Sequence, residues 1–264
     1  MKKTIEYFGA IALYMSLILL SSCTNEIGGE SDFPVVSDSK IKKIVFDSGD
    51  GVESWEFVYD ATGRVTSIAN SWENGAPEMI TYDYSQAGKL QLKKGGNTTN
   101  YILDGEGRIA KELWNSSGTE YLAFEYDSEG ILSKVIEHYD NEDHLKYENK
   151  ITKSNITNRI TYEDNGVTVR ENRVFEYTIA DNTNLIHQTF TVDSQWKNVG
   201  ELYGKQSKKL VKNYVRKLAS DPDSNYGASF EYSFDDKNRV ATQTKNGKGS
   251  GGNFSESWKY SYYE

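Results

Sequence analysis

Three groups of residues in this chain could do chemistry: histidines among carboxylates, alternating oxygen side chains, and a glycine-rich run. His138 and His144 lie six apart, with Asp140, Glu142 and Asp143 between them. A zinc site needs ligands converging at about 2 Å. Nothing in this spacing forces convergence, so a solvated hairpin loop is expected. His187 stands alone in an apparent strand. Asp221, Asp223 and Asn225 alternate as at the start of a calcium loop. Tyr226 then occupies the position that needs Gly, and Tyr232 the one that needs Glu, so a plain loop before a strand at Ser229–Phe234 is expected. The run from Gly247 to Gly252 lacks the spacing and following helix of a phosphate loop and reads as a hairpin connection. Acidic pairs are plentiful, which keeps a glycosidase dyad as a distant option, but no pair stands out. The chain is therefore read as non-enzymatic, with no cofactor and no metal.

The one cysteine has a more specific setting. Lys2 and Lys3 precede an apolar run from Tyr7 through Leu20, broken by Gly9 and Ser16. That run is shorter than the roughly 20 residues a spanning helix needs, and it has the proportions of a secretory signal. It closes with Leu20, Ser21, Ser22 and Cys23. These four residues resemble the lipobox of bacterial lipoproteins, which implies a signal peptide over 1–22 and a lipid on Cys23. Thr24 to Asp38 are polar, with Gly28, Gly29 and Pro34, so 23–39 is expected to be a flexible tether. Thr24 is not Asp, which by the same resemblance favours the outer membrane. The membrane is then a partner through the lipid.

The part after Ser22, about 240 residues, carries a net charge near −10, against −9 for the whole chain. An acidic surface argues against a nucleic-acid partner. Its periodicity is that of strands. Trp55, Phe57 and Tyr59 fall on one face, as do Phe124 and Tyr126, and Leu90 and Leu92 flank Gln91. Between such runs an Asp or Ser recurs three residues before a Gly or Asn. The pairs are Asp60/Gly63, Ser85/Gly88, Asp104/Gly107, Asp127/Gly130, Asp181/Asn184 and Asp235/Asn238. A type I turn favours Asp or Ser at its first position and Gly at its fourth, and Asn is next best in the left-handed conformation. The pattern predicts β-hairpins in series, tight and uniform at one end. The other end has varied connections at Asn74–Pro77, Lys94–Asn97, Ser116–Gly118 and Lys245–Asn253.

Such a sheet must bury its apolar face. We expect an all-β fold: one antiparallel meander domain over 40–264, strongly curved into a closed or nearly closed barrel. A membrane-spanning barrel is the rival, but charges interrupt both faces where it needs an apolar outward band. Ser207 to Leu218 fits either a basic amphipathic helix or paired strands.

The Tyr-Asp-x-x-Gly-Arg core at Tyr59–Arg64, with Leu103 replacing Tyr before Asp104, resembles the YD repeats of Rhs and teneurin-type shells. Lipobox, tether and degenerate repeats together resemble a family of Bacteroidota lipoproteins of unknown function with a porin-like β fold. That resemblance covers roughly 40–264, although 147–165 and 201–226 depart from the repeat, and it transfers no catalytic residue. Tyr and Trp are abundant, and such side chains offer flat apolar faces with polar edges to sugars or proteins. Trp72, Trp114 and Trp196 lie near predicted strand ends and are the candidate binding residues; filling or rimming the barrel is their other use. Two classes follow: an envelope module binding a glycan or a partner protein, or a structural envelope component with a self-filled barrel.

Overall fold

The computed structural model describes residues 40–73, 75–183, 186, 201–249 and 251–264. Cys23 with its preceding Leu20, Ser21 and Ser22, the tether to residue 39, Asn184, His187 and Trp196 lie outside them. The described residues form β1 (Ile41–Asp47), β2 (Val52–Tyr59), β3 (Val65–Trp72), β4 (Glu78–Asp83), β5 (Lys89–Lys94), β6 (Asn97–Leu103), β7 (Ile109–Leu113) and β8 (Tyr121–Tyr126). There follow β9 (Leu132–Tyr139), β10 (Glu142–Thr152), β11 (Asn155–Tyr162), β12 (Val169–Asp181), β13 (Lys209–Leu218), β14 (Asp221–Phe234), β15 (Val240–Gly249) and β16 (Gly252–Tyr262). Every strand pairs antiparallel with its neighbours in sequence, and β16 pairs with β1, closing a 16-stranded barrel. Closure leaves no edge strand with unpaired backbone groups.

Side chains alternate between the two sides of this wall. The inward positions form cross-strand rows: Phe57 faces Ile68, which faces Ile80; Leu90 faces Tyr101; Phe124 faces Val135; Gln243 faces Trp258. Phe57, Ile68, Ile80 and Trp258 are buried, and Phe46 stacks on the Trp258 ring at 5.0 Å. Many outward positions are polar. Lys43 pairs with Glu56 at 2.7 Å, Ser67 faces Thr81, Lys93 faces Thr98, and Ser233 hydrogen-bonds Thr242 at 2.6 Å.

The tight turns show why Asp and Gly recur. Gly63 donates its N–H to Asp60 O at 2.9 Å, Gly107 to Asp104 O at 3.1 Å, Gly130 to Asp127 O at 3.0 Å and Asn238 to Asp235 O at 3.0 Å. Each of these Gly or Asn residues has a positive φ, from 59° to 88°. The ladder slips beside each turn, at Val58/Tyr59, Ile102/Leu103, Glu125/Tyr126 and Ser233/Phe234, as a type I turn with a G1 bulge requires. At Ser85/Gly88 the geometry is displaced. The closing bond runs from Lys89 N–H to Gln86 O, and the carboxylate that accepts the Ser85 N–H belongs to Asp83. Asp181 ends β12, with its carboxylate 2.6 Å from Lys209 Nζ.

Four local expectations are corrected or resolved. Asp221–Asn225 is strand, not loop, because β14 must run the length of its partners and Asp221 faces Leu218. The Lys245–Asn253 connection is largely strand as well: Gly249 already faces Gly252, leaving only residues 250 and 251 between β15 and β16. The histidine loop is a two-residue turn, Asp140–Asn141, both at positive φ, with His138 and His144 on the flanking strands. Residues 209–218 are strand β13, whose basic residues alternate with buried Leu210, Val211 and Tyr214.

Candidate functional site

The connection between β12 and β13 leaves from the tight-turn end, and its described residues turn into the barrel. Ile186, Leu202 and Tyr203 are buried in the same core as Ile44, Trp55 and Phe57. The Tyr203 ring meets Phe124 at 5.1 Å. Backbone bonds tie the segment to the turns: Ile109 N–H to Leu202 O at 2.7 Å, Lys205 N–H to Gly130 O at 2.9 Å, and Lys208 N–H to Ser154 O at 2.9 Å. Asn182 caps it, with its side chain bonded to Ile186 and Ser207. This plug holds a cavity of about 510 Å³ against the turns, lined by Arg108, Glu129, Glu201 and Lys205 among others. Burial pushes the Glu201 carboxyl up, and Lys205 opposes it.

Nearer the loop end, the interior turns polar while staying packed. Arg159 donates from Nε to Asn149 Oδ1 at 3.0 Å, and its guanidinium lies 4.8 Å over the Tyr147 ring. Burial pulls Arg159 down to about 10, which leaves it protonated at neutral pH. Glu171 is clamped by Arg173 at 2.7 Å and by Arg216 at 2.5 Å. Lys245 pairs with Glu256 at 2.8 Å. Glu171 and Glu256 are ion-paired, and Arg159 is held by the Asn149 amide and the Tyr147 ring, in line with the need of buried charges for partners. Sequence reasoning missed them because they stand at inward positions spread over β10–β13, β15 and β16, so no local motif marks them.

The recurring Tyr and Arg also have structural work. Phenol groups of Tyr59, Tyr126, Tyr177, Tyr232 and Tyr262 donate to backbone carbonyls of the preceding strand, at 2.5–2.7 Å. Arg64, Arg108 and Arg239 lie 4.3–4.6 Å over the rings of Tyr84, Tyr126 and Tyr262. Each such cation–π contact contributes about 0.5–1 kcal/mol when exposed and more when dry.

Of the candidate binding residues, Trp72 and Trp114 are on the loop rim, 55% and 44% exposed. Trp72 ends β3 opposite Glu53 and lies against Gly51. Trp114 follows β7 and donates its N–H to Glu120 O at 2.9 Å. Strands β4, β5 and β6 separate them, a distance of about 19 Å along the wall at 4.8 Å per strand, so they are two platforms. The histidines do not converge: His138 Nδ1 is 2.7 Å from Asp143, and His144 Nε2 is 3.7 Å from Glu142. Among the described residues, no three His, Cys, Asp or Glu side chains gather as metal ligands. Gly247 faces Phe254, and a Cβ there would meet Gly227 O at 2.4 Å, so that run serves strand packing.

Two solved structures share this fold. A porin-like protein from Bacteroides uniformis ATCC 8492 superposes with a TM-score of 0.63 at 15% identity, covering 84% of this chain and 96% of that one. A porin-like protein from Bacteroides vulgatus ATCC 8482 superposes at 0.53 with 10% identity, covering 86% and 99%. No family model and no curated protein matches the chain. At these identities the likeness establishes the porin-like barrel and leaves function to the residues.

Proposed function

We propose that this protein is a non-catalytic binding module of the bacterial cell envelope, anchored in the outer membrane by lipid on Cys23. It recognises a glycan or a partner protein through the loop rim. The observation that carries this reading is the exposure of Trp72 and Trp114 at the rim, while Trp55 and Trp258 are buried. Exposed aromatic rings of this kind are recognition surfaces, because they gain contact area at little entropy cost. The porin-like neighbours from Bacteroides support an envelope setting. The acidic charge supports a partner other than nucleic acid.

A second reading has its own support. The interior is filled by the plug, by Trp258 and by the Arg159–Glu171 layer, which suits a structural or assembly component that takes no small ligand.

A glycan and polysaccharide screen on the soluble part, run with Trp72→Ala and Trp114→Ala, separates the two. Saturable binding that is lost in a folded variant supports the module. If nothing binds, and crosslinking in whole cells finds no partner at the rim, the module reading fails and the assembly reading remains.

A further inference from the structure

A groove lies on the outer wall across β4–β7. There the register lines up Asp83, Gln91, Asn100 and Leu113 in one outward row, each directly opposite the next. β7 is only five residues long, so the loop after it starts part-way up the wall. Asn115 and Ser116 flank the row on that side, and Ser85 and Gln86 of the β4–β5 turn flank it on the other. The space enclosed is about 300 Å³, at the lower limit of small-molecule sites.

The floor of this groove is chemically ordered. Gln91 donates from Nε2 to Asn100 Oδ1 at 3.0 Å. That bond turns the other ends of both amides to the groove: an acceptor, Gln91 Oε1, and a donor, Asn100 Nδ2. Neither has a hydrogen-bond partner among the described residues. Asp83 accepts the Ser85 N–H at 2.9 Å through Oδ1, and a carboxylate's two oxygens keep capacity to accept a further bond. Ser85, through its hydroxyl and its N–H, holds the Asp83 carboxyl below the usual range, so it is ionised at neutral pH. Lys93, on the next strand, opposes that charge, and Lys89 adds a second cation to the lining. Leu113 and Ile102 supply an apolar strip beside the amides. Adjacent strands set these groups about 4.8 Å apart.

We propose that this groove binds an uncharged oligosaccharide. The array of acceptor, acceptor, donor and apolar strip matches a pyranose, whose hydroxyls both donate and accept and whose C–H face is apolar. An extended peptide is the poorer fit, because the barrel is closed and offers it no strand edge to pair with. The proposal rests on the binding-module reading and moves the contact from the rim to the wall.

The test uses the full-length protein in a non-ionic detergent without a sugar headgroup. Retardation is measured in native gels containing mannan, xylan or soluble starch, with a β-glucan oligosaccharide array alongside. The expected result is binding weakened about tenfold or more, about 1.4 kcal/mol, in Gln91→Leu and Asn100→Leu, with the unfolding midpoint kept. Asn100→Asp, which preserves size but replaces the donor with a charged acceptor, guards against a folding artefact and is expected to bind as weakly. Binding lost in Trp72→Ala but unchanged in the Gln91 and Asn100 variants overturns the groove and keeps the module. Failure of the unmodified protein to retain any of these glycans overturns the groove too, while the module reading is decided separately by crosslinking at the rim.

Discussion

The carboxylates that open the tight turns each organise a whole loop with one side chain. Asp104 accepts the N–H groups of Glu106 and Arg108 through Oδ1, both at 2.9 Å, and Arg108 Nε through Oδ2 at 2.8 Å. Asp235 does the same for Lys237 and Arg239. Burial pulls both carboxyls up, but the backbone N–H and guanidinium of the following arginine outweigh it, and both end below the ordinary range. A depressed folded pKa means stability that is complete above the unfolded value, about 3.9, and lost as pH falls through the folded value. The unfolding midpoint should therefore drop on acidification below about pH 4. Asp104→Asn with Asp235→Asn should cost about 1–2 kcal/mol per site at neutral pH and flatten the acid limb. An acid limb of the same steepness in both proteins would remove this role. These turns were legible in the sequence because Asp and Gly at fixed spacing have a backbone reason. The shift at Ser85/Gly88 was not, because Ser85 and Asp83 are both competent turn formers and only the three-dimensional register chooses between them.

At the scale of elements, the wall could be read and the plug could not. Alternation and turn residues mark strands whatever their partners, so the meander over β1–β9 follows from local pattern. The segment 201–208 has no such pattern, since its burial comes from lying inside a cylinder made by the rest of the chain. Its tightest point is Gly204, at φ 82°, where a Cβ would lie 2.6 Å from Gly130 O and 2.7 Å from the Tyr126 ring. Gly88, at φ 68°, has nothing within 4 Å of the same position and isolates the conformational part. Gly88→Ala should cost about 1 kcal/mol from backbone strain alone. Gly204→Ala adds a clash with backbone that cannot yield, so about 2–4 kcal/mol is expected. Equal shifts of the two unfolding midpoints would mean that the plug does not seat against the β8–β9 turn. The rim residues Trp72 and Trp114 were legible for a simpler reason, since a large aromatic beside a turn signal sits at a strand end.

For the whole molecule, closure of the sheet decides the topology and the outward residues decide the solvent. A lipid-facing barrel carries an apolar outward band about 25 Å tall. Here the outward rows hold Lys43 against Glu56, Thr242 against Lys259, and Ser229, Asn246 and Ser255 side by side. Val174 faces Val215 and Ile179 stands nearly fully exposed, but these are scattered positions of the kind any water-facing surface carries. Lipid on this wall would strip water from lysines and glutamates at a cost of about 2–4 kcal/mol for each Lys near the midplane. The interior argues against conduction too: the described residues of the plug, Ile186, Leu202 and Tyr203, are buried in the core, and Arg159, Glu171 and Trp258 are buried among the inward rows. Residues 40–264, made without the signal and cysteine, should therefore stay monodisperse in buffer without detergent. The full chain in a planar bilayer should give no stepwise conductance. Aggregation relieved only by detergent would mean that the wall faces lipid after all, and discrete ion currents would mean that the plug leaves its seat. Either result would overturn the reading of this barrel as water-facing outside and packed inside.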